Sequence, residues 1–439
     1  MRFAKRIAAA GFWLTFSAGS ANAGALLELY QKALEADPQL KAAEATFRAD
    51  SEVSTQARSA LLPQADLNAN TRRTENRSFD GNSHGYTLSL SQPLFDASAW
   101  FTFRRGQVLA DQAQLTFSLA QQDLILRAID AYLGVLRAQS TLQLAEARER
   151  ALSRRLEQVN AQFEVGLIAV TDVLDAQASY DDAAVQLIDA QGALSNSFEA
   201  LERLAGAPMD NVQPLDPDYP IQSVEPADPE AWLDRAYEGN LSYLISQYDS
   251  QAARRSLQAA RSEHLPRLAI QAESGETTEL GDWDDSNSIA LTLSVPLYAG
   301  GSVSSGVREA DQRNRAALFT QEDQLRALRV QTRSLLRDLN TSVESVKARA
   351  QSIKSRETAL QANEEGFSVG TRNVVDVLDA ENALYQALLD YANARYDHVS
   401  TLFNFKQTVG SLSPEDLIAL DQWLTDTEEM SETMPTATQ

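Results

Sequence analysis

Two stretches of the chain repeat an aspartate pair at one spacing. FEVGLIAVTDVLDAQASY, from Phe163, carries Asp172 and Asp175, and FSVGTRNVVDVLDAENALY, from Phe367, carries Asp376 and Asp379. Residues three apart on a helix lie one turn from each other, so each pair presents two carboxylates on one face. Such a face could slow anions and gather cations, offer oxygen ligands to a hard metal ion, or simply complement the helix macrodipole at ~0.3–1 kcal/mol per charge. Arg372 stands in the second stretch where the first has Ile168. Nothing comparable supports catalysis. His84, His264 and His398 share no repeated spacing with carboxylates that would make a metal centre or a triad, and no GxxxxGK[ST] phosphate loop is present. The sequence thus implies no catalytic residue, no resident metal and no cofactor, and energy for any work must come from a partner.

The pairs sit inside a duplicated unit. A shift of about 203 residues maps ALEADPQL (from Ala33) onto AYEGNLSYL (from Ala236), LLPQ (Leu61) onto HLPR (His264), and SQPLF (Ser91) onto SVPLY (Ser294). Within the aspartate stretches, nine of 18 aligned positions are identical. Landmarks in one order mark a whole-unit duplication. The expected organisation is a first repeat over 24–203, a proline-rich linker over 204–230 and a second repeat over 231–411, followed by a segment and acidic tail over 412–439. Leu204–Trp232 holds six of the chain's 13 prolines, which predicts little regular structure there.

Each repeat predicts the same elements. A helical segment (Ala25–Ala60, Ala231–Glu263) runs into Leu-Pro, and the apolar period then becomes two. Strand hairpins are expected over 64–94 and 267–297, with loops at Thr71–Gly85 and Ser274–Asn287; Ile289, Leu291, Leu293 and Val295 alternate with Ser288, Ala290, Thr292 and Ser294. Helical period then persists without proline over Ala97–Glu164 and Val303–Ser368, each about 100 Å at ~1.5 Å per residue. Steps of four and three at Leu339, Val343, Val346, Ala350, Ile353 and at Leu152, Leu156, Val159, Phe163 predict coiled-coil packing. Val165-Gly166 and Val369-Gly370 turn the chain, so the aspartates lie just past hairpin tips at 165–171 and 369–375.

Arg2, Lys5 and Arg6 precede an apolar run and Ala21-Asn22-Ala23, the form of a cleaved export signal over 1–23, which predicts a mature chain from Gly24. No later stretch has the ~20 apolar residues of a membrane helix. There is no cysteine, hence no lipid-modified N-terminal Cys and no thiolate site. The formal charge of −23 becomes −26 without the three leader cations, which argues against nucleic acid as a partner. Four amphipathic strands cannot close a barrel, and open edges are not tolerated in hydrocarbon. Three copies supply twelve strands, with the Ser/Thr/Asn faces toward an aqueous lumen and the Leu/Ile/Val/Tyr faces toward lipid. Arg72, Arg73 and Arg77, and Glu276, Glu279, Asp282, Asp284 and Asp285, then mark exterior loops.

From ALLELYQKALEADPQL through SQPLFD, SVPLYAGG and VGTRNVVDVLDAENALY to SLSPEDLIAL, essentially the whole mature chain resembles the TolC-type outer-membrane channel-tunnels of Gram-negative bacteria. The absent lipid-attachment cysteine places it with the unlipidated members. The resemblance implies an α+β membrane protein in the outer membrane, extending into the periplasm: a homotrimeric twelve-stranded β-barrel continuous with a helical coiled-coil tunnel. It implies a mixed belt around the tunnel made of the linker and the C-terminal region. It also implies an exit duct for tripartite efflux or type I secretion, working with a periplasmic adaptor and an inner-membrane transporter of RND, ABC or MFS type. By the same resemblance, Asp376 and Asp379 are acidic rings at the periplasmic entrance. Arg372 pairs with Asp172 and Thr171 across neighbouring coils as a latch, with Phe367 where the family's nearest members have tyrosine. Val165-Gly166-Leu167 and Val369-Gly370-Thr371 dock the adaptor. The rival readings are a stand-alone porin, which has no use for ~100 Å helices, and a periplasmic coiled-coil scaffold without a pore, which has no use for lipid-compatible strands.

Overall fold

The computed structural model describes residues 24–76, 79–209, 211–279 and 282–424; the leader expected over 1–23 and the tail from 425 on lie outside the described residues. Helix α1 (Ala25–Ala36) is followed by α2 (Pro38–Ser59), strands β1 (Gln64–Asn76) and β2 (Phe79–Phe95), and helices α3 (Ala97–Glu164) and α4 (Val170–Ala205). The order recurs as α5 (Pro229–Gly239), α6 (Leu241–Ser262), β3 (Arg267–Glu279), β4 (Asp282–Ser294), α7 (Ser302–Ser368) and α8 (Val374–Val409), and α9 (Pro414–Asp421) closes the described chain.

Each helical segment expected as one piece is two. Asp37 caps α2 by accepting from Leu40 N–H at 2.9 Å, with Pro38 in the first turn, and Asn240 accepts from Tyr243 N–H at 2.8 Å to cap α6. An extended residue with a capping side chain ends one helix and starts the next at a new angle. The Asp37 carboxylate is 3% exposed and bound by both Arg127 guanidinium nitrogens, at 3.1 and 2.6 Å, which ties the break to α3.

The four strands form one antiparallel sheet in the order β1-β2-β3-β4, so β1 and β4 are its edges. Leu67–Leu88, Leu90–Ala272, Ala272–Ile289, Ile270–Leu291 and Leu268–Leu293 are direct cross-strand partners. The larger of these apolar groups are open to solvent, Ile289 at 80% and Leu67 at 70%. Asn68–Thr87, Asp66–Ser89 and Glu273–Ser288 occupy the other face. The strands also run through much of the expected loops: pairing continues from Asn70–Gly85 to Asn76–Phe79 and from Ser274–Asn287 to Glu279–Asp282. Backbone ladders require no apolar side chain, so pairing outlasts the two-residue period that marks a strand in sequence.

Helices α3 and α7 run the length of the molecule away from the sheet. Beside the sheet they alternate with α2 and α6, in the order α2-α3-α6-α7; farther out, α3 pairs with α4, α7 with α8, and α3 lies against α8. A wall one helix thick leaves two wet faces. Of the twelve buried residues of the 68-residue α3, eight fall within Leu124–Leu136, where α1, α4, α8, α9 and the linker residues Met209, Val212 and Leu215 wrap it into a waist core. Leu424 bridges to Leu215 there, so Asp421–Leu424 are part of the packed belt. The second repeat contributes a smaller counterpart, in which Trp232 meets Phe405 edge-on at 5.0 Å beside Leu336 and Val409.

His398 is 1% exposed on α8, with Nδ1 at 2.7 Å from Ser342 Oγ of α7. Burial pushes its pKa below the ordinary value. The unfolded chain therefore binds this proton more readily than the folded one, and stability falls as pH drops through about 6.5. Thermal unfolding followed between pH 7.5 and 5 is expected to lose midpoint steadily in the wild type and less steeply in His398→Asn.

Candidate gate at the helix tips

Both tips turn on a left-handed glycine, Gly166 at φ 76° and Gly370 at φ 77°, a backbone state glycine reaches without strain. At the first, Leu167 N–H donates to Gln162 O at 2.9 Å. At the second, Thr371 N–H, Arg372 N–H and the Thr371 hydroxyl all donate to Gly366 O, at 2.8, 3.2 and 3.0 Å. Val165, Leu167 and Val369 are 70–74% exposed, and Gly166, Gly370 and Thr371 are exposed with them. Two apolar knuckles therefore project at the end farthest from the sheet.

Behind the knuckles, Leu152, Val159, Ala176, Ala183, Val374 and Leu378 form a buried cluster joined by Leu156, Ile168, Val173, Tyr180 and Phe367. Ile168 fills this cluster, whereas Arg372 points out and is 57% exposed. The exchange comes with a second one. A Cβ at Gly366 would lie 2.6 Å from Arg372 Cγ, and the first repeat has Gln162 where the second has Gly366. Glycine clears the space over which the arginine stem folds. Phe367 is half buried and serves this cluster through its ring alone.

Asp376 and Asp379 lie opposite the buried Val374, Val377 and Leu378, and share a face. Asp376 is also a capping residue: its Oδ2 accepts from Asn373 N–H at 3.2 Å, and Asn373 Oδ1 accepts from Asp376 N–H at 2.8 Å. Asp172 makes only the return half, accepting from Ala169 N–H at 3.2 Å, because alanine has no acceptor to offer. Arg372 Nη1 stands 4.0 Å from Asp376 Oδ2. Within one chain Arg372 thus leans toward Asp376 of its own tip and not toward Asp172 or Thr171 of the other. Asp175 and Asp379 are exposed. Among the described residues, no three metal-binding side chains converge, and no helix is long and apolar enough to cross a membrane.

One polar cluster here escapes sequence reading. Arg155 of α3 reaches Glu381 of α8 at 2.9 Å and Glu364 of α7 at 2.8 Å, with Arg155 and Glu381 only 11% and 8% exposed. It joins the two helical hairpins two residues beyond Asp379. Asn373 and Gly366 were likewise not singled out, although Asn-x-x-Asp at a helix start is a readable capping signal.

A helical wall one layer thick, carried on an open sheet with one apolar face and ending in acid-bearing tips, is the single-chain architecture of the outer-membrane channel-tunnels. A family profile described as "Outer membrane efflux protein" matches residues 29–207 and 232–411. The chain belongs to that family. It is 35% identical over 410 residues to outer membrane protein TolC of Vibrio cholerae, covering 91% of this chain and 93% of that one. It is 31% identical over 428 residues to the alkaline protease secretion protein AprF of Pseudomonas aeruginosa, covering 93% and 89%. A crystal structure of CusC, 17% identical, has the same fold at a TM-score of 0.80, covering 91% of this chain and 96% of that one. The chain is an outer-membrane channel protein, not an enzyme.

Arg155→Ala leaves Glu381 buried without its cation, which costs about 3–5 kcal/mol. Circular dichroism melts of the detergent-solubilised protein are expected to show a large loss of midpoint, mostly restored by the apolar pair Arg155→Leu with Glu381→Leu. No recovery in the double variant would assign the loss to packing of the arginine stem.

Proposed function

We propose that three copies of this chain assemble into an exit duct that carries substrates from an inner-membrane transporter, through a periplasmic adaptor, across the periplasm and outer membrane. The observation that carries this reading is the joining of two incompatible halves in one chain: an open-edged sheet with a solvent-exposed apolar face, and helices of 67 and 68 residues with both faces wet. The edges β1 and β4 pair between neighbours, so twelve strands close around a lumen lined by the Asn68, Thr87, Ser89 and Ser288 face.

Threefold symmetry turns each tip residue into a ring. Asp376 and Asp379 become six carboxylates around the axis; in a constriction with low-dielectric walls they attract cations and slow anions. Arg372 is the exposed cation of the second tip and leaves Asp376 to reach Asp172 and Thr171 of an adjoining hairpin. Such an exposed pair is worth only ~0–1 kcal/mol per copy, which suits a gate that must open. Phe367 supports the latch by packing and adds no hydroxyl to it. The knuckles at Val165-Gly166-Leu167 and Val369-Gly370-Thr371 offer the adaptor an apolar grip next to the exposed tip glycines. The relatives named for protease secretion support a secretion role beside efflux, and cargo choice then rests with the transporter.

In planar bilayers the purified protein is expected to give a small, cation-selective conductance that a polyvalent cation blocks from the periplasmic side. Asp376→Ala with Asp379→Ala should abolish that block. Correctly inserted trimers that never conduct would favour a scaffold without a pore. Separately, Arg372→Ser should raise the resting conductance several-fold; an unchanged value in an assembled trimer would remove Arg372 from the latch.

A further inference from the structure

Asp421 is the last residue of α9, and its carboxylate lies on the first turn of α1, 395 residues away in sequence from Leu26. Its Oδ1 accepts from the N–H groups of Leu26 and Leu27, each at 3.2 Å, and the carboxylate also accepts from Gly24 N–H. Gly24 is the N-cap of α1 and contributes no side-chain cap. An aspartate from the far end of the chain therefore does what a local Ser or Asp does elsewhere. A Cβ at position 24 would lie 2.3 Å from Asp421 Oδ2 and 2.4 Å from Oδ1, so any side chain there would push the carboxylate off the helix end. Leu26 and Leu29 on one side and Leu417 and Leu420 on the other hold both helices in the waist core. Burial raises the Asp421 carboxyl above its ordinary range, and among the described residues no lysine or arginine pairs with it. The carboxylate has backbone donors but no counter-charge.

The cleavage motif Ala21-Asn22-Ala23 ends at the residue before this contact. We propose that Asp421 is the docking site for the α-ammonium group created when the Ala23–Gly24 bond is hydrolysed. Hydrolysis consumes one water and leaves a carboxylate on Ala23 and an amine on Gly24, which at neutral pH takes a proton because its ordinary pKa is about 7.7–8.0. The amide N–H at Gly24, one donor without charge, becomes a cation with three donors facing an anion that is already in place. The uncleaved chain lacks that charge. The site thus distinguishes the processed chain from its precursor, favours an N-terminal glycine over any larger residue, and fastens the new end of the chain to α9.

The test is amine chemistry on the mature protein isolated from outer membranes. Intact mass must first give a chain that begins at Gly24. Acylation of its α-amine by a limiting reagent is then followed against pH. Docking raises the amine pKa by at least one unit, so the reaction midpoint should lie near 9 or above, and at pH 7 the wild type should react at least about tenfold more slowly than Asp421→Asn. Gly24→Ala should label as fast as Asp421→Asn. A wild-type midpoint of about 7.7–8.0 overturns the proposal even if neither variant assembles, and so does a mature chain that starts anywhere else. A purely structural hydrogen bond at Gly24 would change melting without moving this midpoint.

Discussion

Hydrocarbon offers no hydrogen bonds, and the sheet of this chain ends in two strands whose outer edges have no partner strand among the described residues. Most of the architecture answers to that constraint. The described residues form one sheet, so in the proposed assembly its edges pair with copies of themselves, and closure by copies imposes rotational symmetry on everything attached to the sheet. The helices that leave the sheet are placed by it. Their single-layer wall, with two wet faces and its largest core at the waist, suits the proposed duct, in which the elements that reach across the periplasm also enclose the lumen.

Symmetry among copies makes asymmetry within one copy useful. The two repeats share a tip design, yet Gln162, Ile168 and Ala169 of the first become Gly366, Arg372 and Asn373 in the second. The three exchanges act together. Glycine makes room for the arginine stem, arginine exposes a cation in place of a partly buried isoleucine, and asparagine completes the capping box that fixes Asp376. One tip packs an apolar side chain at this position and the other carries an exposed charge.

Much of this was legible in the sequence because the signals are periodic and long. The limits of α3 follow from an unbroken helical run between Asp96 and Val165, and the strands from alternation at Ile289–Val295. What was missed depends on single residues or on distance. The breaks at Asp37 and Asn240 interrupt a helical pattern by capping alone. The strand ends beyond Thr71 and Ser274 carry polar residues on both faces, so their pairing leaves no mark. Arg155 and Glu381 are 226 residues apart, and each reads as one more surface charge until α3 and α8 are laid side by side.

The uninterrupted length of α3 and α7 also limits how the molecule can change over time. A residue inserted into a straight helix turns everything beyond it by about 100°, which would swing the coiled-coil seam and the tip charges out of alignment. Only an insertion close to a whole heptad preserves the seam, and it would have to be matched in α4 or α8, since the tips are hairpin turns. The span from sheet to tip therefore behaves as a gauge of nearly fixed length. Differences in periplasmic depth between cells must be absorbed by whatever meets the tips.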